Sequence, residues 1–455
     1  MVKEIKITTN ALVSRAGLCT FNAFIENNQI LEMLENEFSH MRKSKKSELV
    51  SSIMKQLINY FADGTNFTLT RFDELKREKG YARLLNLHQN NLLSSHQVKR
   101  FFNKFSKEDM IKFRNIIRNM FIKRLKSEKP DVVILNIDTM VMDNDDAKKR
   151  EGVEYTYKRV KGFQPLQLTW NNFIIDGRLR SGKTHSNYGH EALEMIISAV
   201  KAIRKGYGAE VPIIVRFDSG FFDIENFKKL DELDVGFIGA GKLYSDIYDY
   251  VENASDEEIQ TYDNQRILWN FIEFGNSRKT WNGKFYRTIF TRQSCDENLQ
   301  MVLPTIRKES LIYTNIGVNK KVSKFLSAAG HSDYLKGERI IQCYHSRGRD
   351  ELIHRALKEF GTERLPFKRI DPNTAFYYIM LISFFLYEIF KQDITKDVFP
   401  AESYAVTFRR RFLDIAGKIV KTAGGFILKV TREVFEKFDL QKLFLCANNP
   451  SFTFT

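Results

Sequence analysis

Three carboxylates set the chemical question. Asp138 closes the run DVVILNID (131–138) and Asp218 closes VPIIVRFD (211–218). Both runs are short, apolar and β-branched, the pattern of strands buried on both faces. Each ends in an acid at its C-terminal end, the edge of an open α/β sheet where ligands sit. The third carboxylate, Glu351, lies in QCYHSRGRDELIHRALKEF (342–360). Read as one helix at about 100° per residue, Arg347, Glu351 and Lys358 fall within roughly 60° of Tyr344. Leu352, Ile353, Ala356, Leu357 and Phe360 fall on the other side, which makes the helix apolar on one face. A charged edge alone is a solvated face, but two strand-end aspartates ahead of it change that. If the two strands are neighbours and the helix lies on the same sheet, three carboxylates converge with no Cys or His among them. That donor set suits hard, oxygen-preferring ions: Mg²⁺, with Mn²⁺ as a substitute. Two such ions clamp the attacking and leaving oxygens of an in-line phosphoryl displacement.

The elements that must position these acids form an α/β segment over 130–240. Strands are expected at 131–138, 156–161 and 168–175, meandering, followed by a helix at 191–205. A strand at 211–218, a helix at 224–233 and a strand at 235–239 complete it. Over 241–336 the rhythm stops. WNFIEFG (269–275), FYRTIFTR (285–292) and SLIYTNI (310–316) alternate as antiparallel strands of a β-rich insertion. The α/β core resumes over 337–395 with the Glu351 helix and a buried apolar helix at 374–390. A basic C-terminal region, 396–455, holds an expected helix at 403–421 with Arg409, Arg410 and Arg411, then a strand-like piece at 426–430.

Residues 1–129 are expected to be a helical domain, with helices near 21–38, 48–61, 96–105 and 109–126. Ser94 and Ser95 supply an N-cap. The cluster Arg42-Lys43-Ser44-Lys45-Lys46 is basic, and residues 51–130 carry 17 Lys/Arg against 7 Asp/Glu, a surplus of 10. SSHQVKRFFNKF, with Lys99 and Arg100, suits a helix-turn-helix-like DNA reader.

The bulk numbers agree. The 455 residues carry a formal charge of +15 and a pI near 9.4, which calls for an anionic partner, nucleic acid first. Cys19, Cys295, Cys343 and Cys446 are scattered with no CxxC pair, which argues against structural zinc and for a reducing, cytoplasmic compartment. The opening MVKEIKITTNALVSRAG has no apolar h-region, so no secretory signal is expected. The apolar run 375–387 is too short to span a bilayer and is expected to be a core helix.

Tyr344-x2-Arg347-x3-Glu351-x6-Lys358 resembles the Tyr-Arg-Glu-Lys signature of one branch of bacterial insertion-sequence transposases with a DDE triad. Asp138 in NIDTM and Asp218 in VRFDSGF look like the family's first two acids. GRLRSGKTHSNYGHEAL and SSHQVKRFF are similar to its loop before the core helix and its N-terminal DNA-binding segment. The resemblance spans nearly the whole chain. It implies a ribonuclease-H-like mixed-sheet core, a β-rich insertion before the Glu helix, and metal-dependent DNA cleavage and strand transfer. Asp138, Asp218 and Glu351 would then be both catalytic and metal-holding. Tyr344, Arg347 and Lys358 would contact the DNA backbone, and an insertion-domain tryptophan, Trp281 rather than Trp269, would stack on a displaced base. Partners would be double-stranded DNA carrying terminal inverted repeats, target DNA and a second copy of the chain, on the nucleoid of a bacterial cell.

One motif competes. Gly177-Arg-Leu-Arg-Ser-Gly182-Lys183-Thr184 fits the P-loop pattern and follows an expected strand. A P-loop Lys-Thr should open a helix, yet His185–Gly189 intervene, and the segment suits a basic loop with Lys183 near DNA phosphate. A nucleic-acid-dependent P-loop ATPase, or a non-catalytic DNA-binding relative, remains the alternative.

Overall fold

The computed structural model describes residues 2–454 except 43, 45, 46, 147, 148, 265, 266, 278–282, 304 and 350, and the backbone alone of Arg349 and Glu351. Its centre is a nine-stranded mixed sheet. β1 (Val133–Thr139) lies between β2 (Leu166–Trp170), antiparallel, and the parallel strand of residues Ile213–Phe217. β3 (Phe173–Arg178) pairs with β2 at one edge. On the other side β4 (Ile213–Phe217) pairs in parallel with β5 (Gly236–Ala240). Beyond β5 come four antiparallel strands: β6 (Gln260–Asn264), β7 (Ile267–Asn276), β8 (Tyr286–Cys295) and β9 (Glu309–Thr314). The order is β6-β7-β8-β9-β5-β4-β1-β2-β3. The strands expected for a β-rich insertion are therefore the continuation of the central sheet.

Period-two alternation sorts the strand residues onto two faces. Val133, Leu135, Ile137, Ile213, Val215 and Phe217 join the large cluster under the helix Glu191–Gly206. Ile214, Ile238, Ile289 and Ile312 point the other way, onto Ile340, Ile341 and Cys343. On that second face the strands turn polar toward their C-terminal ends: Ile134, then Asn136 and Asp138; Ile214, then Arg216 and Asp218. The acids thus lie where apolar cover stops.

The helix Ile370–Ile389 is buried on all sides, as its unbroken apolar sequence requires. With its continuation to Ile394 it is long and apolar enough to cross a membrane, but nearly all of it is enclosed by protein. Phe376 meets Phe61 and Phe102 with ring centroids 5.0 and 5.5 Å apart, Tyr378 stacks on Phe113, and Phe385 meets Phe173. One hydrophobic cluster therefore runs from the N-terminal helices into the sheet.

Several expected elements break. The stretch at 21–38 is two helices, Leu18–Asn27 and Ile30–Phe38, parted at Gln29 with φ 69°. The expected strand at 168–175 is the β2–β3 hairpin, turning at Asn171 with φ 49°. The expected strand at 156–161 is mostly a tight turn. The expected helix at 403–421 ends by Leu413 and gives way to the strand Gly417–Thr422. There Arg409 is buried and donates to the carbonyls of Phe61, Ala62, Glu359 and Phe360, so it is no part of a basic surface.

The basic helix Lys107–Glu128 also turns three of its cations inward. Arg114 grips Asp176 of β3 with two hydrogen bonds of 2.7 Å, and Arg118 lies 3.5 Å from the same carboxylate. Arg124 reaches Glu128 and Asp393 at 2.6 Å each. Asp176 is almost wholly buried. Replacing it by Ala strands Arg114 without its acid, and urea unfolding should register a loss of about 3 kcal/mol. A loss below about 1 kcal/mol would mean the pair does not hold the helix to the sheet.

Candidate active site

Asp138 is the penultimate residue of β1, and Asp218 follows β4 directly. The parallel register pairs Asn136 with Arg216, and continuing it two residues brings the two acids level on adjacent strands. Each carboxylate is pinned locally. Asp138 Oδ1 accepts from the Thr139 amide at 2.7 Å, and Asp218 Oδ1 accepts from the Gly220 amide at 2.8 Å. Two negative charges side by side need a cation, and Arg347 supplies it. Its Nη2 stands 3.5 Å from Asp138 Oδ2 and 3.9 Å from Asp218 Oδ2. The acids and Arg347 line a cavity of about 400 Å³, together with Tyr157, Lys158, His354 and Lys358.

A buried arginine beneath the cavity sets this geometry. Arg216 donates from Nε to Asn136 Oδ1 at 2.6 Å, and from Nη1 to the Cys343 carbonyl and to Ser346 Oγ at 2.7 Å each. Ser346 Oγ donates to the same Cys343 carbonyl at 2.8 Å. That carbonyl would otherwise accept from residue 347 in a continuing helix. The single helix expected over 342–360 is accordingly interrupted. The helix Gly337–His345 gives way to a 3₁₀ turn, Ser346–Arg349, and a second helix starts at Glu351 and runs to Phe360. The interruption changes the expected face. Leu352 is half exposed, and Tyr344 packs on the second hydrophobic cluster, away from the cavity.

Glu351 heads the second helix, but its side chain lies outside the described residues. Lys358, on the same helix, lines the cavity and pairs with Glu363 at 2.7 Å. Lys99 and Arg100 are exposed on the helix Ser95–Phe102, which Ser94 and Gln97 close with a reciprocal capping box. Arg100 lines a separate groove of about 480 Å³ with Arg42 and Lys104. Trp281 lies outside the described residues. Trp269 is a buried strand residue whose ring meets that of His345 at a tilt, with centroids 4.2 Å apart.

The P-loop reading of Gly177–Thr184 does not survive. Gly177 and Arg178 are still in β3, and Arg178 is held by Glu191 and Glu194. Lys183 pairs with Glu154 at 2.8 Å, and the next α-helix begins only at Glu191. Among the described residues the loop runs into a 3₁₀ turn, Tyr188–His190, and not directly into a helix whose N-terminus could receive a phosphate.

Cavity and anchor residues that escaped the sequence reading include Arg216, Asn136, His354, Tyr157 and Lys158. Asn136 and Arg216 stand two residues before the two acids, so period two alone places them on the same face. His354 stands three residues after Glu351, one helical turn on. Burial, with Lys358, Arg347 and Lys158 nearby, holds the His354 imidazole down to about 4. Burial and then Lys308 do the same to His345.

The donor set fits a hard cation. Two carboxylates on one sheet face have drawn the guanidinium of Arg347 into the place between them, which shows a demand for positive charge. Among the described residues no three His, Cys, Asp or Glu side chains gather closely enough to hold a metal ion, and the Glu351 side chain is not among them.

The mixed sheet thus delivers paired aspartates from neighbouring parallel strands into a cationic cavity. The sequence model of one family, Transposase DDE domain group 1, matches residues 3–445, and the chain belongs to that family. Members normally work with divalent metal ions. A solved structure of the piggyBac transposase synaptic complex with hairpin DNA resembles the chain at a TM-score of 0.39 and 11% identity, covering 89% of this chain and 80% of that one. No curated protein matches the chain.

The two depressed histidines give stability a pH dependence. Unfolded, each imidazole takes a proton below about 6.5; folded, each waits until about 4. The folded state therefore loses ground as pH falls from 6.5 toward 4. His345→Phe keeps the ring on Trp269 and removes one of these groups. Its melting temperature should fall less steeply than wild type over that window; parallel curves would show that His345 is not the group concerned.

Proposed function

We propose that the chain is a DNA transposase of the Tyr-Arg-Glu-Lys insertion-sequence branch. It binds the terminal inverted repeats of its own element, cuts there and joins the freed ends to target DNA. The observation that carries this reading is the level pair Asp138 and Asp218 with the Arg347 guanidinium across them. Family membership over residues 3–445 supports it.

Asp138 and Asp218, with Glu351 at the head of its helix, would hold two Mg²⁺ ions, or Mn²⁺ in their place. Bound there, the ions supply Lewis-acid stabilisation to the oxygens that attack and leave. The chain's own groups do the rest. Arg347, displaced from the carboxylates, turns its guanidinium to the scissile phosphate, and Lys358 opposes phosphate charge from the cavity wall. His354, uncharged near neutral pH, offers a hydrogen bond without repelling the cations. Tyr344 touches the DNA backbone from outside the cavity. Lys99 and Arg100, within a helical region over 1–129, read the repeat, and Lys183 lies near the DNA path. Two copies of the chain hold two ends in one complex on the bacterial nucleoid. Trp281 keeps its expected stacking role.

The test is cleavage of DNA carrying the element's ends, with Mg²⁺ and without ATP. Asp138→Ala, Asp218→Ala and Glu351→Gln should each fall at least about a hundredfold, while Lys183→Ala stays within about threefold because it makes only exposed contacts. Full activity in any acid variant would falsify the carboxylate assignment. ATP turnover that vanishes in Lys183→Ala would favour a nucleotide-driven enzyme instead. Separately, Arg347→Gln removes the cation that competes for the acids. Manganese binding without DNA, followed by electron paramagnetic resonance, should tighten about fivefold; unchanged binding would mean that Arg347 does not compete.

A further inference from the structure

Immediately after Asp138 the chain lines the cavity through Val141 and enters a small sheet of its own. Its strands are Met142–Asp143, Lys161–Phe163 and Glu154–Tyr155, with Lys161–Phe163 in the middle. The last two form a hairpin with a tight, self-bonded tip. Thr156 is buried, and its amide and hydroxyl both donate to the Val160 carbonyl, at 2.9 and 3.0 Å. The Arg159 amide returns to Thr156 O at 2.9 Å, with Arg159 left-handed at φ 62°.

The base of the hairpin is clamped by the segment that mimics a P-loop. The Gly182 amide donates to Gly152 O at 3.1 Å, and Lys183 pairs with Glu154 at 2.8 Å. Gly182 packs so closely on the carbonyls of Glu154 and Gly162 that no side chain fits there. From the other side the Glu151 amide donates to Lys368 O at 2.8 Å. The P-loop-like glycine thus positions a hairpin, with the exposed Lys183–Glu154 pair beside it.

What that hairpin presents is unusual for a folded surface. Tyr155 and Tyr157 are 64% and 62% exposed. Cations accompany both: Lys161 Nζ lies 5.2 Å from the centre of the Tyr155 ring, and Lys158 Nζ 5.8 Å from that of Tyr157. Arg159 stands exposed beside them. Tyr157 and Lys158 line the cavity that holds Asp138 and Asp218. Exposed rings interleaved with basic side chains are a stacking surface for nucleobases whose phosphates the cations follow. In a duplex the base faces are covered by their neighbours, so only an unpaired or terminal base offers a face to such a ring.

We propose that hairpin 154–163 binds unpaired DNA at the mouth of the acidic cavity, with Tyr155 and Tyr157 stacking on bases and Lys158 and Arg159 contacting the adjoining phosphates. The assignment rests on the reading of the chain as a DNA-cutting enzyme and adds a single-stranded substrate element to it. The hydrogen bonds that close the hairpin limit the backbone freedom left to lose when the strand arrives.

The experiment uses the full chain in EDTA, so that binding is measured without cleavage. The probes are a blunt duplex and the same duplex with a single-stranded flap carrying 2-aminopurine. Wild type should bind the flapped DNA about tenfold more tightly and quench the probe by stacking. Tyr155→Leu/Tyr157→Leu should lose that preference and the quenching while binding blunt duplex within about twofold of wild type, since its phosphate contacts remain. Tyr155→Phe/Tyr157→Phe should retain both. Should the double Leu variant fail to fold, Tyr157→Leu alone should still lose at least about threefold of the preference. No flap preference in wild type, or an undiminished one in the folded Leu variants, overturns the proposal. Metal-supported cleavage of the element's ends is scored in separate reactions, so its failure would count against the transposase reading and leave the flap result standing.

Discussion

The site depends on one buried guanidinium. Arg216 lies on the polar half of an otherwise apolar sheet face and joins three things at once: the strand of Asp138 through Asn136, its own strand two residues before Asp218, and the end of the helix Gly337–His345. A buried charge is tolerated only when its hydrogen bonds are met, so the helix end is obliged to stop there. By taking the Cys343 carbonyl, Arg216 ends one helix and starts the turn that carries Arg347 over the acids. The layout of the site follows from satisfying an arginine.

Like-charge repulsion is the second constraint. Asp138 and Asp218 stand on strands about 5 Å apart, and neither is deeply buried, so both ask for positive charge. Arg347, Lys358 and Lys158 provide it, and the same cations, after burial, keep His354 neutral. The cavity is therefore cationic around an anionic floor.

Much of the chain's positive charge does different work. Arg114, Arg118, Arg124 and Arg409 looked like surface charge and are internal fasteners between the N-terminal helices, the sheet and the buried helix Ile370–Ile389. The count of basic residues over 51–130 was right, yet it overstated the exposed basic surface. Charge counts see composition, whereas burial decides whether a guanidinium meets water, DNA or an aspartate. Lys183 is a further case: a motif match suggested phosphate, and the fold gives it Glu154.

The sequence by itself determined the two strand-end acids, the buried helix and the antiparallel strands after 240, because each is written in local periodicity and end residues. It also exposed the signature Tyr344, Arg347, Glu351 and Lys358. It misplaced what depends on partners distant in the chain. The break after His345 comes from Arg216, more than a hundred residues earlier; the split at 168–175 comes from a turn that apolar strands on either side conceal. The membership of β6 to β9 in the central sheet is a pairing of β9 with β5 that no local pattern records. Only tertiary structure decided which cations face the cavity, since that depends on which buried carbonyls and carboxylates had to be satisfied first.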